Sequence, residues 1–272
     1  MTAVYQPART PAYFLSDALV MVGRSLRRSV RDPEAFITAL ALPVILMLLF
    51  VYVFGGAFNA GVGAAGGYAN YVVPGLIVLC AGFGAGTTAV AVATDMSSGI
   101  VDRFRSMPIA SASVLAGHIV ASLVRNLLAT ALVIAVGLAV GWRPEADPLA
   151  WAGALAMIVA FILAMSWLAA CFGLVVSSPE AASGATFALM FVPYLSSAFV
   201  PASTMAAGLR PIAANQPFTP VIETMRGLWM GHTSTGAALG HEALLAAVYC
   251  AAILVAAAST ASWLFRHRTA GR

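Results

Sequence analysis

Charge is what this sequence has least of. Only 9% of its 272 residues are charged and 61% are hydrophobic, where a soluble domain carries about 25% charged residues. So few charges cannot coat one or two globular domains. A disordered tail and a small secreted disulfide scaffold are excluded on the same count. Lysine is absent, and all 14 basic residues are arginine. A P-loop of the form G-x-x-x-x-G-K-[ST] needs its lysine on the nucleotide phosphates, so a nucleotide that drives this protein binds on another chain. The three cysteines, Cys80, Cys171 and Cys250, stand apart in apolar stretches. They have neither disulfide-framework nor C-x-x-C metal-site spacing and read as packing residues. The start, MTAVYQPART, lacks the apolar core and cleavage site of a signal peptide.

Acids are also missing from the apolar runs. Ion-driven transporters carry carboxylates or histidines inside their spans, yet Asp95, Glu180 and Glu242 reach only the ends of such runs here. No serine occupies a G-x-S-x-G elbow, and the four histidines (His118, His232, His241, His267) are scattered, so no nucleophile has a base at hand. The sequence therefore points to no catalytic residue, metal site or cofactor in this chain, and to no nucleic-acid partner. Three classes are left: a passive channel, a non-transporting membrane component, or the permease half of a machine powered elsewhere.

What is present is apolar sequence long enough to cross a bilayer about six times. A span needs about 20 residues. The qualifying segments are Phe36–Phe54, Tyr71–Ala93, Asn126–Trp142, Leu149–Val176, Ala181–Val200 and Ala243–Phe265. Barrel strands alternate over about 10 residues and these runs do not, so the expected fold is an all-α integral membrane bundle. Arginine placement orients it. With the N-terminus inside, ten arginines fall on the cytoplasmic side and Arg143, Arg210 and Arg226 outside, which puts both termini in the cytoplasm. Arg125 stands at a boundary; starting the third span at Asn126 lets it snorkel to the cytoplasmic interface.

Two cytoplasmic segments have helical faces. In the first, Phe14, Leu15, Ala18, Leu19, Val22, Leu26 and Val30 share one side of a wheel, and Asp17, Arg24, Arg27, Arg28 and Arg31 the other. That is the pattern of a basic amphipathic helix lying in the headgroup layer, though a charge cluster that only fixes topology has the same arginines. Asp32-Pro33 ends it and can cap the next helix. In the second, Thr94–Ser111, the residues Ile100, Val101, Phe104 and Met107 oppose Ser98, Asp102, Arg103, Arg105 and Ser106, and Pro108 stops the turn. This short amphipathic helix offers a docking surface; a solvated loop is the plainer alternative.

On the other side, Gly55–Asn70 is glycine-rich and uncharged. Beyond it, Pro201, Pro211, Pro217 and Pro220 cut the later stretch into pieces. Thr219-Pro220 opens a helix expected to run to about Gly231, in which Glu223 and Arg226 stand at i, i+3 and can pair. Such pieces suit short re-entrant helices between spans five and six, dipping into the outer leaflet under protein cover; an exposed loop is the alternative.

Four runs carry a resemblance. R-D-P-E-A-F leading into A-L-P-V-I-L-M-L-L-F-V-Y-V-F-G-G, Y-V-V-P-G-L-I-V at Tyr71–Val78, S-G-I-V-D-R-F-R-S-M-P-I at Ser98–Ile109, and the stretch from Phe199 through N-Q-P-F-T-P-V-I-E-T-M-R-G-L at Asn215–Leu228 resemble, in that order, the type-2 ABC exporter permeases of the daunorubicin-resistance group. The resemblance implies three parts: residues 1–32 as a cytoplasmic N-terminus with the amphipathic interface helix, 33–268 as a six-span type-2 ABC transmembrane domain, and 269–272 as a cytoplasmic tail.

It further implies a bacterial cell-membrane protein. The partners would be two ABC ATPase subunits, which carry ATP and Mg, and a second permease subunit, identical or similar. Ser98, Gly99, Asp102, Arg103, Phe104, Arg105 and Pro108 would belong to the coupling helix that seats in the ATPase. Arg24, Arg27, Arg28 and Arg31 would mark the interface helix. Pro201, Pro217, Pro220, Glu223 and Arg226 would lie in an external gate region. The implied function is ATP-driven export of a hydrophobic or amphiphilic small molecule, drug-like or lipid-like. A permease for polysaccharide or lipid-linked glycan is the neighbouring alternative. The aromatics Tyr52, Tyr68, Tyr71, Trp142 and Trp151 read as an interfacial belt, which favours the small cargo. No substrate-binding residue is legible.

Overall fold

The apolar runs become helix over most of their length, because a backbone without water must satisfy its own N–H and C=O groups. A computed structural model of the chain describes residues 19–25, 27, 33–57, 67–100 and 111–268. Residues 19–25 are helical. Then come α1 (Pro33–Leu48), which runs into a π-helical turn at Leu49–Val53, α2 (Tyr68–Phe83), α3 (Gly86–Ser97), α4 (Ser111–Val140), α5 (Pro148–Val175), α6 (Pro179–Leu189), α7 (Arg210–Asn215), α8 (Phe218–Met230) and α9 (Leu239–Arg268). No strand occurs among the described residues.

Four stretches are long and apolar enough to cross a membrane: Tyr68–Ser97, Ser113–Val140, Pro148–Val175 and Leu239–Phe265. The first is α2 and α3 together, broken only by a turn at Gly84 and Ala85, and it is the most buried of the four, whereas α9 is the least. The bundle therefore packs around α2–α3 and α5, with α9 laid along the outside of α5. The main core joins Val73, Leu76 and Ile77 of α2, Ile158, Phe161 and Ile162 of α5, and Val221, Ile222 and Met225 of α8. Each such side chain contributes about 1.5–3 kcal/mol where it leaves water.

Helix ends obey local chemistry. Asp147 caps α5, its carboxylate accepting from the Ala150 N–H at 2.7 Å, with Pro148 at the first position. Gly231 closes α8 at φ +74°, where a left-handed residue is required.

Three expectations are corrected. The third span does not begin at Asn126: α4 starts at Ser111 and places Arg125 halfway along a 30-residue helix, not at its end. His118 and Ser122 interrupt the apolar run in sequence, yet both are buried against neighbouring helices. The fifth span, Ala181–Val200, is not one helix. It is the 11-residue α6, then a 3-10 turn at Val192–Leu195; Pro193 has no N–H to give a continuing helix and disfavours helical backbone before it. Nor do Tyr68, Tyr71 and Trp142 form an interfacial belt, since all three are buried. Trp142 and Trp229 meet edge to face at 5.1 Å and Trp151 packs on both, which pins the ends of α4, α5 and α8 together.

Candidate functional site

The polar residues buried in this apolar body gather at three places, and each gathering has a local cause.

The densest lies where α8 meets the broken segment after α6. Ser196, Ser197, Ala198 and Phe199 are buried without helical structure, so their backbone groups need partners from elsewhere. Tyr68 Oη donates to the Phe199 carbonyl at 2.8 Å and Tyr71 Oη to that of Ser197 at 2.9 Å. The Ser197 N–H donates to Thr219 Oγ1 at 3.3 Å, and that hydroxyl donates to the Ala213 carbonyl. Arg226 Nη2 reaches the carbonyls of Ser197 at 3.1 Å and Tyr71 at 3.0 Å. Its guanidinium carbon lies 3.9 Å from the centroid of the Tyr71 ring. Pro74, inside α2, withholds the N–H that a helix would give the Asn70 carbonyl, and the arginine donates to the carbonyl of the next residue, Tyr71.

Glu223 neutralises that arginine. Both side chains are essentially inaccessible and form an ion pair across one turn of α8. Ser197 Oγ donates to Glu223 Oε1 at 2.6 Å, and Ser234 adds its N–H at 2.7 Å and its hydroxyl at 2.6 Å. Burial alone would raise the glutamate pKa, but Arg226 beside it and the hydrogen bonds from Ser197 and Ser234 outweigh burial and hold the carboxyl below its usual range. Fixed charges so fully partnered suit a staple that holds irregular backbone together.

The second gathering lies at the other end of α2–α3. Asp95, buried in the last turn of α3, accepts from Arg24 of the N-terminal helical segment and faces His118 Nε2 of α4 at 3.1 Å, both on Oδ2. The N-terminal segment sits hard against α4: a Cβ placed on Gly117 would meet the Met21 Cβ at 2.7 Å. Immediately after α3, Ser98 closes the helix with its N–H to Thr94 and Gly99 turns left-handed at φ +69°.

Between them runs a buried stripe on α4. His118, Ser122, Asn126 and Thr130 recur at four-residue steps, all facing inward. Ser122 and Ser166 of α5 share a hydrogen bond at 2.8 Å, and Asn126 Nδ2 donates to Ser122 at 3.1 Å. Asn126 also fills the space over Gly84 at the α2–α3 break, where a Cβ would fall 1.4 Å from its Oδ1.

The residues singled out in the sequence distribute unevenly over this geometry. Glu223 and Arg226 pair as their spacing predicts, but Arg226 is sealed in protein and is not a solvated external charge. Pro220 is buried in the first turn of α8, Pro217 precedes that helix and Pro201 precedes the 3-10 turn at Ala202–Thr204. Arg24 reaches Asp95, while Arg27 is exposed. Ser98 and Gly99 form the turn that ends α3. Asp102, Arg103, Phe104, Arg105 and Pro108, like Arg28, Arg31 and 269–272, lie outside the described residues. Sequence reasoning missed Tyr71, Ser197 and Ser234 around Arg226, and it missed the junction at Asp95. Only the four-residue recurrence from His118 to Thr130 carried a usable signal.

A model of the ABC-2 type transporter family matches residues 17–230, which takes in the ion pairs of both gatherings and the stripe between them. Among curated proteins, the daunorubicin resistance ABC transporter permease protein DrrB1 of Streptomyces coeruleorubidus is 29% identical over 232 residues, 85% of this chain and 80% of that protein. The probable doxorubicin resistance ABC transporter permease protein DrrC of Mycobacterium tuberculosis is 24% identical over 218 residues, 80% of this chain and 78% of its own length.

Proposed function

The chain belongs to the ABC-2 type transporter family, and from that premise we propose that it is the membrane-spanning permease subunit of an ATP-driven exporter. In this reading it crosses the membrane six times, with α1 and the α6 segment completing the four long spans. Both termini are cytoplasmic, and α7 and α8 dip into the outer leaflet. It pairs with a second permease subunit, identical or similar, and engages two ATPase subunits that hold ATP and Mg. The cargo is a hydrophobic or amphiphilic small molecule expelled from the cell by alternating access.

One observation supports the mechanical part above the others: a single interrupted helix, α2–α3, carries partners in both ionic gatherings. Tyr68 and Tyr71 stand at its start, Asp95 at its end, and the Gly84–Ala85 break between them. Closure of the ATPases would push the segment after Ser98, with Asp102, Arg103 and Arg105 as docking residues and Phe104 as a packing residue. The Asp95 junction passes that push to the N-terminal helix and α4, and the break converts it into movement at the external gate. ATP drives the change only through its differential affinity for the two states.

The test is an accumulation assay in cells expressing this chain with its ATPase, beside a hydrolysis-dead ATPase. Cargo should accumulate less with the active enzyme. The ATPase should co-purify with the intact chain and not with one lacking residues 98–108. Equal accumulation of every compound in both strains, or efflux without any ATPase, overturns the reading.

A further inference from the structure

The N-terminal helical segment, residues 19–25, lies at one edge of the apolar body. Met21 packs into a cluster with Val92 of α3, Val114 and Leu115 of α4, Leu174 of α5, and Ala261 and Phe265 of α9. The four long spans end close to these positions, at Ser97, Ser113, Val175 and Phe265. Those ends mark the edge of the hydrocarbon layer, so Met21 fixes the segment at headgroup depth. Trp263, exposed on α9 near Phe265, is a residue type enriched at that same level.

With Met21 turned into the bundle, the opposite face of this helix carries Leu19, Val20, Gly23 and Arg27, and Arg24 stands at its edge. Leu19 and Val20 are 67% and 64% exposed, and Arg27 is exposed as well. A Cβ on Gly23 would meet nothing within 4 Å, so open backbone lies between the apolar pair and the arginine. The charge at this level is of one sign. Arg24, Arg27, Arg28 and Arg31 follow one another with no acid from 24 to 31, and α9 closes with Arg266 and Arg268. A zwitterionic lipid would cover Leu19 and Val20 but leave the arginines without counter-charge. An anionic phospholipid answers both needs, with acyl chain on the apolar pair and phosphate on the guanidinium groups.

Arg24 is already held by a carboxylate. It donates to Asp95 Oδ2, and the same oxygen lies 3.1 Å from His118 Nε2. Asp95 is buried and Arg24 part-exposed, so a phosphate can approach the guanidinium from outside, and Asp95 keeps His118 when the arginine leaves. We propose that this face of the N-terminal helix binds an anionic phospholipid through Arg24 and Arg27, and that the lipid competes with Asp95 for Arg24. The anionic lipid content of the bilayer then sets how often the Arg24–Asp95 bond is open. Each arginine at such a surface gives about fivefold in affinity. The competition requires a chain that spans a membrane and takes nothing from the export reading.

The experiment titrates the full chain in detergent with phosphatidylglycerol or phosphatidylcholine and reads each bound lipid by native mass spectrometry, without ATPase or cargo. The first phosphatidylglycerol should bind at least about fivefold tighter than the first phosphatidylcholine. Arg27→Gln alters an exposed side chain, so the fold should stand; it should remove about fivefold of that affinity, and Arg27→Lys should keep most of it. Asp95→Asn releases Arg24 and should tighten phosphatidylglycerol binding several-fold, but should gain nothing once Arg24→Gln is present. Equal affinity for the two lipids overturns the proposal, as does an Arg27→Gln chain that binds phosphatidylglycerol unchanged. A gain from Asp95→Asn that persists without Arg24 is the removal of a negative charge alone and overturns the competition. Loss of the lipid preference when the ATPase is added assigns the face to the ATPase and overturns the lipid. Lipid-free dimers that fall apart in Arg27→Gln assign it to a second copy, with the same consequence. A full set of expected affinities in a chain that exports nothing beside an active ATPase leaves the lipid site standing and removes the export reading.

Discussion

At one end of the bundle Arg226 and Glu223 stand one turn apart, sealed from solvent; at the other Arg24 reaches Asp95 from 71 residues away and keeps 31% of its side chain exposed. Both arrangements pair an arginine with a buried carboxylate, and both are anchored to α2–α3. They differ in what the arginine would do alone. Arg226 and Glu223 have no route to water, so neither tolerates the loss of its partner, and the backbone of residues 196–199 depends on them. Arg24 can return to solvent while buried Asp95 keeps His118 Nε2 at 3.1 Å, so opening this bond costs less than stranding a sealed charge with no second partner. A charge pair in an apolar fold is thus a staple where both members are sealed and a latch where one is not.

The sharpest way to break this comparison is to remove one charge at each end. Arg226→Met strands Glu223 in the interior and should cost about 3–5 kcal/mol, seen as a large fall in thermal midpoint and in the amount of protein recovered from membranes. Adding Glu223→Leu should recover much of the loss, because a well-packed apolar pair replaces a buried ionic one at little or no net cost. If the double variant is as damaged as Arg226→Met, the hydrogen bonds to Tyr71 and Ser197 carry the stability and the ion pair does not.

Much of the first region was legible in sequence. The i, i+3 spacing of Glu223 and Arg226, the proline before them and Gly231 after them locate the helix and its pair, because all of that physics is local. Tyr71 and Ser197 were not legible as partners, since they lie 155 and 29 residues from Arg226 and only the folded chain brings them there. The Asp95 junction is wholly of this second kind. The broken fifth segment stood between the two cases. Pro193 announced the break, but the apolar composition on either side masked it.

Close packing around α2–α3 gives a second, smaller effect. A Cβ on Gly75 would lie 2.8 Å from the Cα and carbonyl oxygen of Ala198, whereas one on Gly84 would strike the end of the Asn126 side chain. Backbone cannot step aside and a side chain can. Gly75→Ala should therefore cost about 1–3 kcal/mol, and Gly84→Ala less, with Asn126→Ala relieving the second and not the first. Thermal midpoints of the four proteins decide it; equal losses at the two glycines remove the distinction between a backbone neighbour and a side-chain neighbour.

At the latch, Asp95→Asn should cost about 1 kcal/mol or less, since Arg24 regains water, while efflux beside an active ATPase falls several-fold. Exchanging the charges, Arg24→Asp with Asp95→Arg, should recover part of the efflux. A fall in stability as large as that of Arg226→Met would make this end a staple too.

The smallest effect expected is with pH. Glu223 titrates below the usual carboxylate range, so its stabilisation is complete above about pH 4.3 and is lost as pH falls through the lower folded value. The folded state binds fewer protons than the unfolded one only within that acidic window, so stability rises with pH there and nowhere above it. The staple accordingly contributes a flat thermal midpoint from pH 8 to pH 5 and a decline below. The Arg226→Met, Glu223→Leu protein, with no carboxyl at this place, should lose that part of the acid decline and match the unaltered chain in its slope from pH 8 to pH 5. A slope across that upper range that vanishes in the double variant would mean that the glutamate gains its proton near neutrality. A carboxyl that is so easily protonated cannot hold Arg226 as a permanent counter-charge, and this end would then have to be counted among the parts that switch.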